Sequence, residues 1–154
     1  MSLTNIRNFA IVAVLGFLVS ACATGGKRSA NDWYEGTDTV KFLASGVPDR
    51  IFFATNKSSL HTAAKGTLNK QASYIKKSGI SVVVEGHADE RGTREYNLAL
   101  GERRANAAKD YLMTYGISSD RISVLSYGKE RPVDSGSNPL AWSKNRRSVT
   151  VKAN

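Results

Sequence analysis

The sequence predicts an α/β sandwich, helices packed on a small sheet in the order β-α-β-α-β-α-β, over residues 48–154. Three observations predict it. Short apolar runs rich in β-branched residues alternate with longer stretches in which apolar residues recur every three or four positions. A chain of 154 residues has room for one ordinary domain plus a tail. The composition, 41% hydrophobic and 23% charged with 13 Gly and 3 Pro, is that of a globular protein and excludes collagen-like, coiled-coil and wholly disordered chains.

Each element has its own signal. Residues 50–54, with Ile51, Phe52 and Phe53, read as the first strand. Leu60, Ala64, Leu68, Ala72 and Ile75 follow at helical spacing, and Ser78-Gly79 stops that helix. Val82-Val83-Val84 is a continuous β-branched run, suited to a central strand covered on both faces, and Gly86 closes it. A second helix spans about residues 95–115 and ends at Gly116. Residues 122–127 form a third strand, 134–139 are turn-rich, 140–146 form a short helix, and Val149-Thr150-Val151 alternates as the last strand.

Ahead of this domain the chain reads as a targeting segment and a tether. Arg7 precedes an eleven-residue apolar stretch, residues 9–19, too short to span a bilayer, which needs about 20 apolar residues. The stretch closes on Leu18-Val19-Ser20-Ala21-Cys22, which resembles a bacterial lipobox. Residues 1–21 are then a lipoprotein signal peptide and Cys22 the site of lipidation; the other reading is an ordinary secretory peptide with an incidental thiol. A diacylglyceryl thioether plus an amide-linked fatty acid, which the resemblance implies, anchors stably where one acyl chain does not. Ala23 in place of Asp implies transfer to the outer membrane, with the domain facing the periplasm. Residues 22–47 read as the lipidated linker, with a root-mean-square span of roughly 25–30 Å. Trp33 and Tyr34 are its exceptions, equally able to pack on the domain or on a partner or to do neither. The single cysteine excludes an internal disulfide and a cysteine-based metal cage.

The charge balance, 22 Lys and Arg against 13 Asp and Glu, gives +9 and points to polyanions or anionic bilayers. Cleavage before Cys22 removes Arg7 and no acid, leaving +8 before lipidation.

The second helix carries an anomaly. Leu98, Ala105, Ala108, Tyr111, Leu112 and Tyr115 define its apolar sector, and Arg104 falls inside it. A guanidinium facing a packed layer needs an anionic partner, because an unpaired buried charge costs several kcal/mol. That partner is either a carboxylate of the protein, making Arg104 structural, or a ligand carboxylate held bidentately. The preceding loop packs six charged residues and two glycines into residues 85–97, between a strand's carboxyl end and this helix, where ligands settle in α/β sheets.

Read through, the segment gives Asp89-x2-Gly92-x4-Asn97-x2-Leu100-x3-Arg104-Ala105, which resembles the peptidoglycan-binding signature of OmpA-like C-terminal domains. Glu85-Gly-His-Ala-Asp-Glu-Arg-Gly-Thr, Leu100-Gly-Glu-Arg-Arg-Ala-Asn106, Ser126-Tyr-Gly-Lys-Glu130 and Ser143-Lys-Asn-Arg-Arg147 extend the resemblance across about residues 50–152. It implies a small mixed sheet and non-covalent binding of meso-diaminopimelate in uncrosslinked peptide stems. By motif position Arg104 would clamp the carboxylate of that zwitterion and Asp89 would pair with its ammonium. Asn97 would order the loop, Gly92 would allow its turn, and N–H groups near Ala88 and Thr55 would add hydrogen bonds to the carboxylate. Where the family has Phe-Asp after the first strand this chain has Thr55-Asn56, and an uncharged Asn56 makes a weaker contact with an ammonium. Arg146 and Arg147 match the closing Asn-Arg-Arg, though a basic pair beside a strand is more often surface or scaffold. The resemblance further implies an outer-membrane lipoprotein of the Tol-Pal system acting in cell division. Its partners would be peptidoglycan and TolB, with TolB competing for the loop at residues 89–97. The alternative is an OmpA-like component of another envelope machine.

Enzyme readings find little support. His87, Asp89 and Glu90 have only one other histidine in the chain, His61, and no third ligand at metal spacing, so no metal or other cofactor is expected. Ser73-Tyr74-Ile75-Lys76 matches Ser-x-x-Lys but lies mid-helix without a Lys-Thr-Gly or Ser-Asp-Asn companion. Nucleic acid would not routinely meet an exported lipoprotein.

Overall fold

The computed structural model describes residues 32–154. The expected signal peptide at 1–21, the Cys22 lipidation site and the first part of the expected linker lie outside the described residues. Strands are β1 (Phe42–Ala44), β2 (Val47–Pro48), β3 (Arg50–Phe52), β4 (Val82–His87), β5 (Ile122–Gly128) and β6 (Arg147–Lys152). Helices are α1 (Thr62–Ser78), α2 (Arg94–Thr114) and α3 (Pro139–Asn145), with a 3-10 turn at Ser119–Arg121.

Four strands form one sheet in the order β3-β6-β4-β5. β4 and β5 run parallel, and β6 runs antiparallel to both β3 and β4, so the sheet is mixed and the last strand to be made fills its centre. Val82, Val84 and Gly86 alternate toward the helices, whereas Val83 and Glu85 on the other face are only half-buried, so the β-branched run is covered more fully on one face than the other. Phe53, Leu68, Ile75, Val84, Ala108, Leu112 and Ile122 form the middle of the core between α1, α2 and the sheet.

Local chemistry fixes the helix ends. His61 caps α1 by accepting from the Ala64 N–H at 3.4 Å through Nδ1, which leaves Nε2–H to donate to the Phe52 carbonyl at 3.1 Å. Gly79, at φ 71°, ends α1 in the left-handed conformation, with its N–H on the Ile75 carbonyl at 3.1 Å. Thr93 caps α2 through Tyr96 N–H at 3.2 Å, and Asn138 caps α3 through Ala141 N–H at 2.9 Å with Pro139 in the first turn.

The linker expectation needs correction at its carboxyl end. Residues 32–47 pack on the domain: Tyr34 is 2% exposed and meets Phe52 edge-on at 5.0 Å, and Trp33 stacks on His61 at 4.0 Å. Leu43 joins the core from β1, and Asp49 ties this hairpin by accepting from Lys41 N–H at 3.2 Å. The segment escapes a periodicity search because its anchors are two aromatic rings and one leucine, not a repeat.

Helix α2 reaches the sheet by a glycine contact. A methyl added at Gly86 would overlap the Gly101 carbonyl, and one added at Gly101 would overlap the Ser126 hydroxyl. At Gly86 the obstacle is backbone, which cannot move aside, and at Gly101 the Gly86 carbonyl stands just behind the Ser126 hydroxyl. Gly86→Ala is expected to lower stability by about 1–3 kcal/mol through overpacking; a Gly86→Ala urea midpoint equal to that of the parent chain would show that the helix is free to shift.

Candidate functional site

The site forms where β3 and β4 end and their loops meet α2 and α3. Arg104 stands at its base, 0% exposed, with its guanidinium 5.2 Å from the Phe53 ring centroid. Nε donates to the Lys57 carbonyl at 2.9 Å, Nη1 to the His87 carbonyl at 2.9 Å and Nη2 to the Ala54 carbonyl at 3.1 Å. Its hydrogen-bond partners in the protein are therefore carbonyl dipoles, which corrects the alternative that a carboxylate of the protein is its direct partner. The His87 carbonyl closes β4 and those of Ala54 and Lys57 lie in the turn after β3, so one planar fork ties the two loops together. Burial, with Arg146 nearby, lowers the Arg104 pKa to about 10, so it stays charged at neutral pH.

Asp89 lies one step outward, 7% exposed. Arg91 grips it with Nε on Oδ1 at 3.0 Å, Nη2 on Oδ2 at 2.7 Å and its backbone N–H on Oδ1 at 3.1 Å. Arg146 Nη1 adds a longer contact to Oδ2 at 3.4 Å. Burial pushes the Asp89 carboxyl up, but the Arg91 hydrogen bonds and both guanidinium charges outweigh it and hold it below the usual carboxylate range. Arg91 lies over Trp142, 4.2 Å from the ring centroid, and Trp142 Nε1 donates to Glu90 at 2.8 Å. A cleft of about 60 Å³ opens here, lined by Asp32, Thr55, Arg91, Pro139, Trp142 and Arg146. A larger groove of about 290 Å³ under Trp33 and Tyr34 is walled chiefly by rings and methyl groups, and Asp89 has no part in it.

The remaining expected residues fall in several places. Asn97 is buried, and its amide donates to the Arg91 carbonyl at 2.8 Å while Gly92 turns the loop at φ 92°. Thr55 N–H donates to Asp32 Oδ2 at 2.9 Å. Asn56 is exposed at φ 53° and accepts from the Tyr96 hydroxyl at 3.3 Å. The Ala88 N–H donates to the Gly128 carbonyl at 2.8 Å, where a register shift after Gly86 extends the β4–β5 pairing, so the expectation that it faces a ligand is corrected. Arg146 and Arg147 are 3% and 4% exposed, so neither lies on the open surface; Arg146 lines the cleft, and Arg147 is scaffold. Arg146 Nε donates to the Phe53 carbonyl at 2.9 Å. Sequence reasoning passed over Arg91, Arg146 and Asp32 as site residues. Arg91 had a local signal, two residues after an aspartate in a turn; Asp32 had none.

With this geometry in view, the comparisons with known proteins are decisive. Residues 52–146 match the OmpA family. The chain belongs to the OmpA family. A peptidoglycan-associated lipoprotein of Mesorhizobium japonicum is 54% identical over 154 residues, covering 94% of this chain and 92% of that protein. Another, from Agrobacterium fabrum, is 42% identical over 160 residues, covering 94% and 88%. The crystal structure of the peptidoglycan-associated lipoprotein from Burkholderia pseudomallei is 34% identical with a TM-score of 0.66, covering 68% of this chain and 90% of that one. These OmpA-family relatives are named for an association and not for a reaction.

Two outcomes follow from the site. Arg104→Ala removes a fully buried side chain and its three hydrogen bonds and is expected to cost about 3–5 kcal/mol in urea unfolding; a loss under about 1 kcal/mol would mean that water replaces the guanidinium. His87, stacked on Tyr127, is 2% exposed, and burial followed by the charges of Arg147, Arg50 and Arg131 lowers its pKa to about 3. The folded chain then favours neutral His87, and unfolding takes up a proton as pH falls below the unfolded value of about 6.5. Stability should fall with pH from about 6.5 toward 3, by at most about 1.4 kcal/mol per unit for this group. Burial lowers His61 as well, with the same sign. His87→Phe should flatten the dependence of the urea midpoint between about pH 6.5 and 5, above the carboxylate range; an unchanged slope would assign it to His61.

Proposed function

We propose that the chain is an outer-membrane lipoprotein, lipidated at Cys22 after removal of residues 1–21, whose folded domain binds peptidoglycan non-covalently. The ligand is the free zwitterionic centre of meso-diaminopimelate in uncrosslinked peptide stems. Asp89 takes the ammonium. The observation that carries the reading is this carboxylate, 7% exposed yet reached by two guanidinium groups at the rim of a cleft, in a chain 54% identical to a protein named for its association with peptidoglycan. A carboxylate held ionised at low dielectric, beside N–H donors able to take a carboxylate, suits a zwitterion better than a simple anion or cation.

Arg104 acts in this reading as a positioning residue. By bridging Ala54 and Lys57 to His87 it sets the spacing between the loop carrying Thr55 and Asn56 and the strand end that delivers Asp89. Asn97 does the same for the loop at 89–93 through the Arg91 carbonyl. Thr55 contributes its N–H, and Asn56 stands at the rim with Tyr96. The domain faces the periplasm and serves the Tol-Pal system, which draws the outer membrane inward at division. TolB covers the loop at residues 89–97 and competes with the wall.

Asp89→Asn keeps the size of the side chain and removes its charge. Co-sedimentation with purified sacculi should fall at least about tenfold, since a charge-assisted pair is worth about 1.5–3 kcal/mol, while the circular dichroism spectrum stays that of the parent chain. Undiminished co-sedimentation of a folded Asp89→Asn chain would sink the zwitterion reading. Saturating TolB should likewise lower the amount of parent chain on sacculi, and equal recovery with and without TolB would separate the two surfaces.

A further inference from the structure

Thr55 N–H and Arg146 already hold a carboxylate, and it comes from the chain itself. Asp32 Oδ2 accepts from Thr55 N–H at 2.9 Å, Asp32 Oδ1 lies 3.4 Å from Arg146 Nη2, and the same Nη2 donates to the Asp32 carbonyl. Asp32 is 23 residues from Thr55 and 114 from Arg146 in sequence, so the contact is a docking of the N-terminal segment on the domain. The two sides differ in character. The Arg146 side chain is 3% exposed and fixed by the Phe53 carbonyl, whereas the Asp32 side chain is 43% exposed. A built donor pair thus meets an acceptor that arrives from outside it. Asp32 also adopts φ 64°, left-handed backbone that aspartate enters more readily than most residues.

A backbone N–H beside a guanidinium is a donor set for a free carboxylate. Arg104, which the family pattern offers for this role, has three of its five N–H donors on carbonyls and is fully buried, whereas Arg146 faces the cleft between Asp32 and Asp89. We propose that Thr55 N–H and Arg146 form the carboxylate subsite of this cleft, and that Asp32 fills it as an intramolecular stand-in which a ligand carboxylate must displace. The inference rests on the wall-binding reading above and deepens it.

The consequence is a coupling between the tether and the site. Asp32 lies ten residues after Cys22, so with Cys22 anchored, tension on that segment pulls Asp32 away from Thr55 and Arg146. Wall binding and a docked segment exclude each other, and the apparent affinity is reduced by the fraction of chains in which Asp32 is docked.

The test uses the full-length chain in detergent micelles, with purified sacculi as the ligand and free meso-diaminopimelate as the soluble probe. Asp32→Ala should co-sediment with sacculi about 3- to 10-fold more tightly than the parent chain, with Asp32→Asn in between, and both should unfold at the parent's urea midpoint within error. The Thr55 amide resonance should move on Asp32→Ala and move again when meso-diaminopimelate is added. Equal or weaker binding by Asp32→Ala, in a preparation where the parent chain binds, overturns this inference and leaves the wall-binding reading standing. A parent chain that does not co-sediment at all overturns both. A Thr55 amide that meso-diaminopimelate leaves unmoved, while sacculi still bind, places the carboxylate elsewhere and overturns the subsite.

Discussion

One buried guanidinium sets the geometry on which everything near the cleft depends. Arg104 is 0% exposed and touches three carbonyls from residues far apart in the chain, Ala54, Lys57 and His87. His87 closes β4, while Ala54 and Lys57 belong to the turn that follows β3 and are themselves joined by the Lys57 N–H on the Ala54 carbonyl at 3.1 Å. Three charge-assisted hydrogen bonds offset the cost of burying the charge without any carboxylate, because carbonyl dipoles pointing at one cation sum to a substantial local potential. The planar fork also converts a stability requirement into a distance constraint. Two loops that carry Thr55 and Asp89 cannot drift apart while one rigid group holds the backbone of both.

Arg146 repeats the device one layer outward with a different set of acceptors. Its Nε holds the Phe53 carbonyl, but its terminal nitrogens face carboxylates, Asp89 at 3.4 Å and Asp32 at 3.4 Å. Burial lowers the Arg146 pKa while Asp32 and Asp89 pull it back up. The inner arginine is therefore satisfied by groups that cannot leave, and the outer one partly by a group that can. This division explains why a chain with formal charge +9 is not simply coated in cations. Arg50, Arg104, Arg146 and Arg147 are at most 7% exposed, so part of the basic excess is structural and the totals overstate what the surface presents.

The sequence was informative wherever a period or a stop residue carried the signal. The helices at 62–78 and 94–114, the central strand at 82–87 and the glycine stops were legible because hydrophobic spacing and left-handed caps are local properties. Arg104 stood out as a candidate because a charge inside an apolar sector is anomalous on its own, and Asp89 because it opens the motif that resembles the family signature. What stayed hidden was which atoms meet. Ala88 looked available until a register shift put its N–H on Gly128, and Arg104 looked in need of a carboxylate until three backbone carbonyls converged on it. Tyr115 fits the apolar sector of its helix by angle yet is 40% exposed, since the helix stops before the sheet can cover it. These are consequences of tertiary closure, and no window of sequence contains them.

The N-terminal segment shows how weak local signals can still specify a docked structure. Trp33 uses the ring that caps α1, stacking on His61 at 4.0 Å, and Tyr34 packs edge-on against Phe52 next to the strand whose end feeds the cleft. Asp32, adjacent to both, inherits its position from them. Aromatic contacts of this kind are worth about 0.5–1.5 kcal/mol each beyond burial, enough to favour docking and too little to make it irreversible. A segment bound more strongly would lock the carboxylate position, and one bound more weakly would leave it unguarded. Under the proposed anchoring at Cys22, a segment that shares its last contacts with the cleft would let the state of the tether act on the cleft without any change in the frame that Arg104 holds.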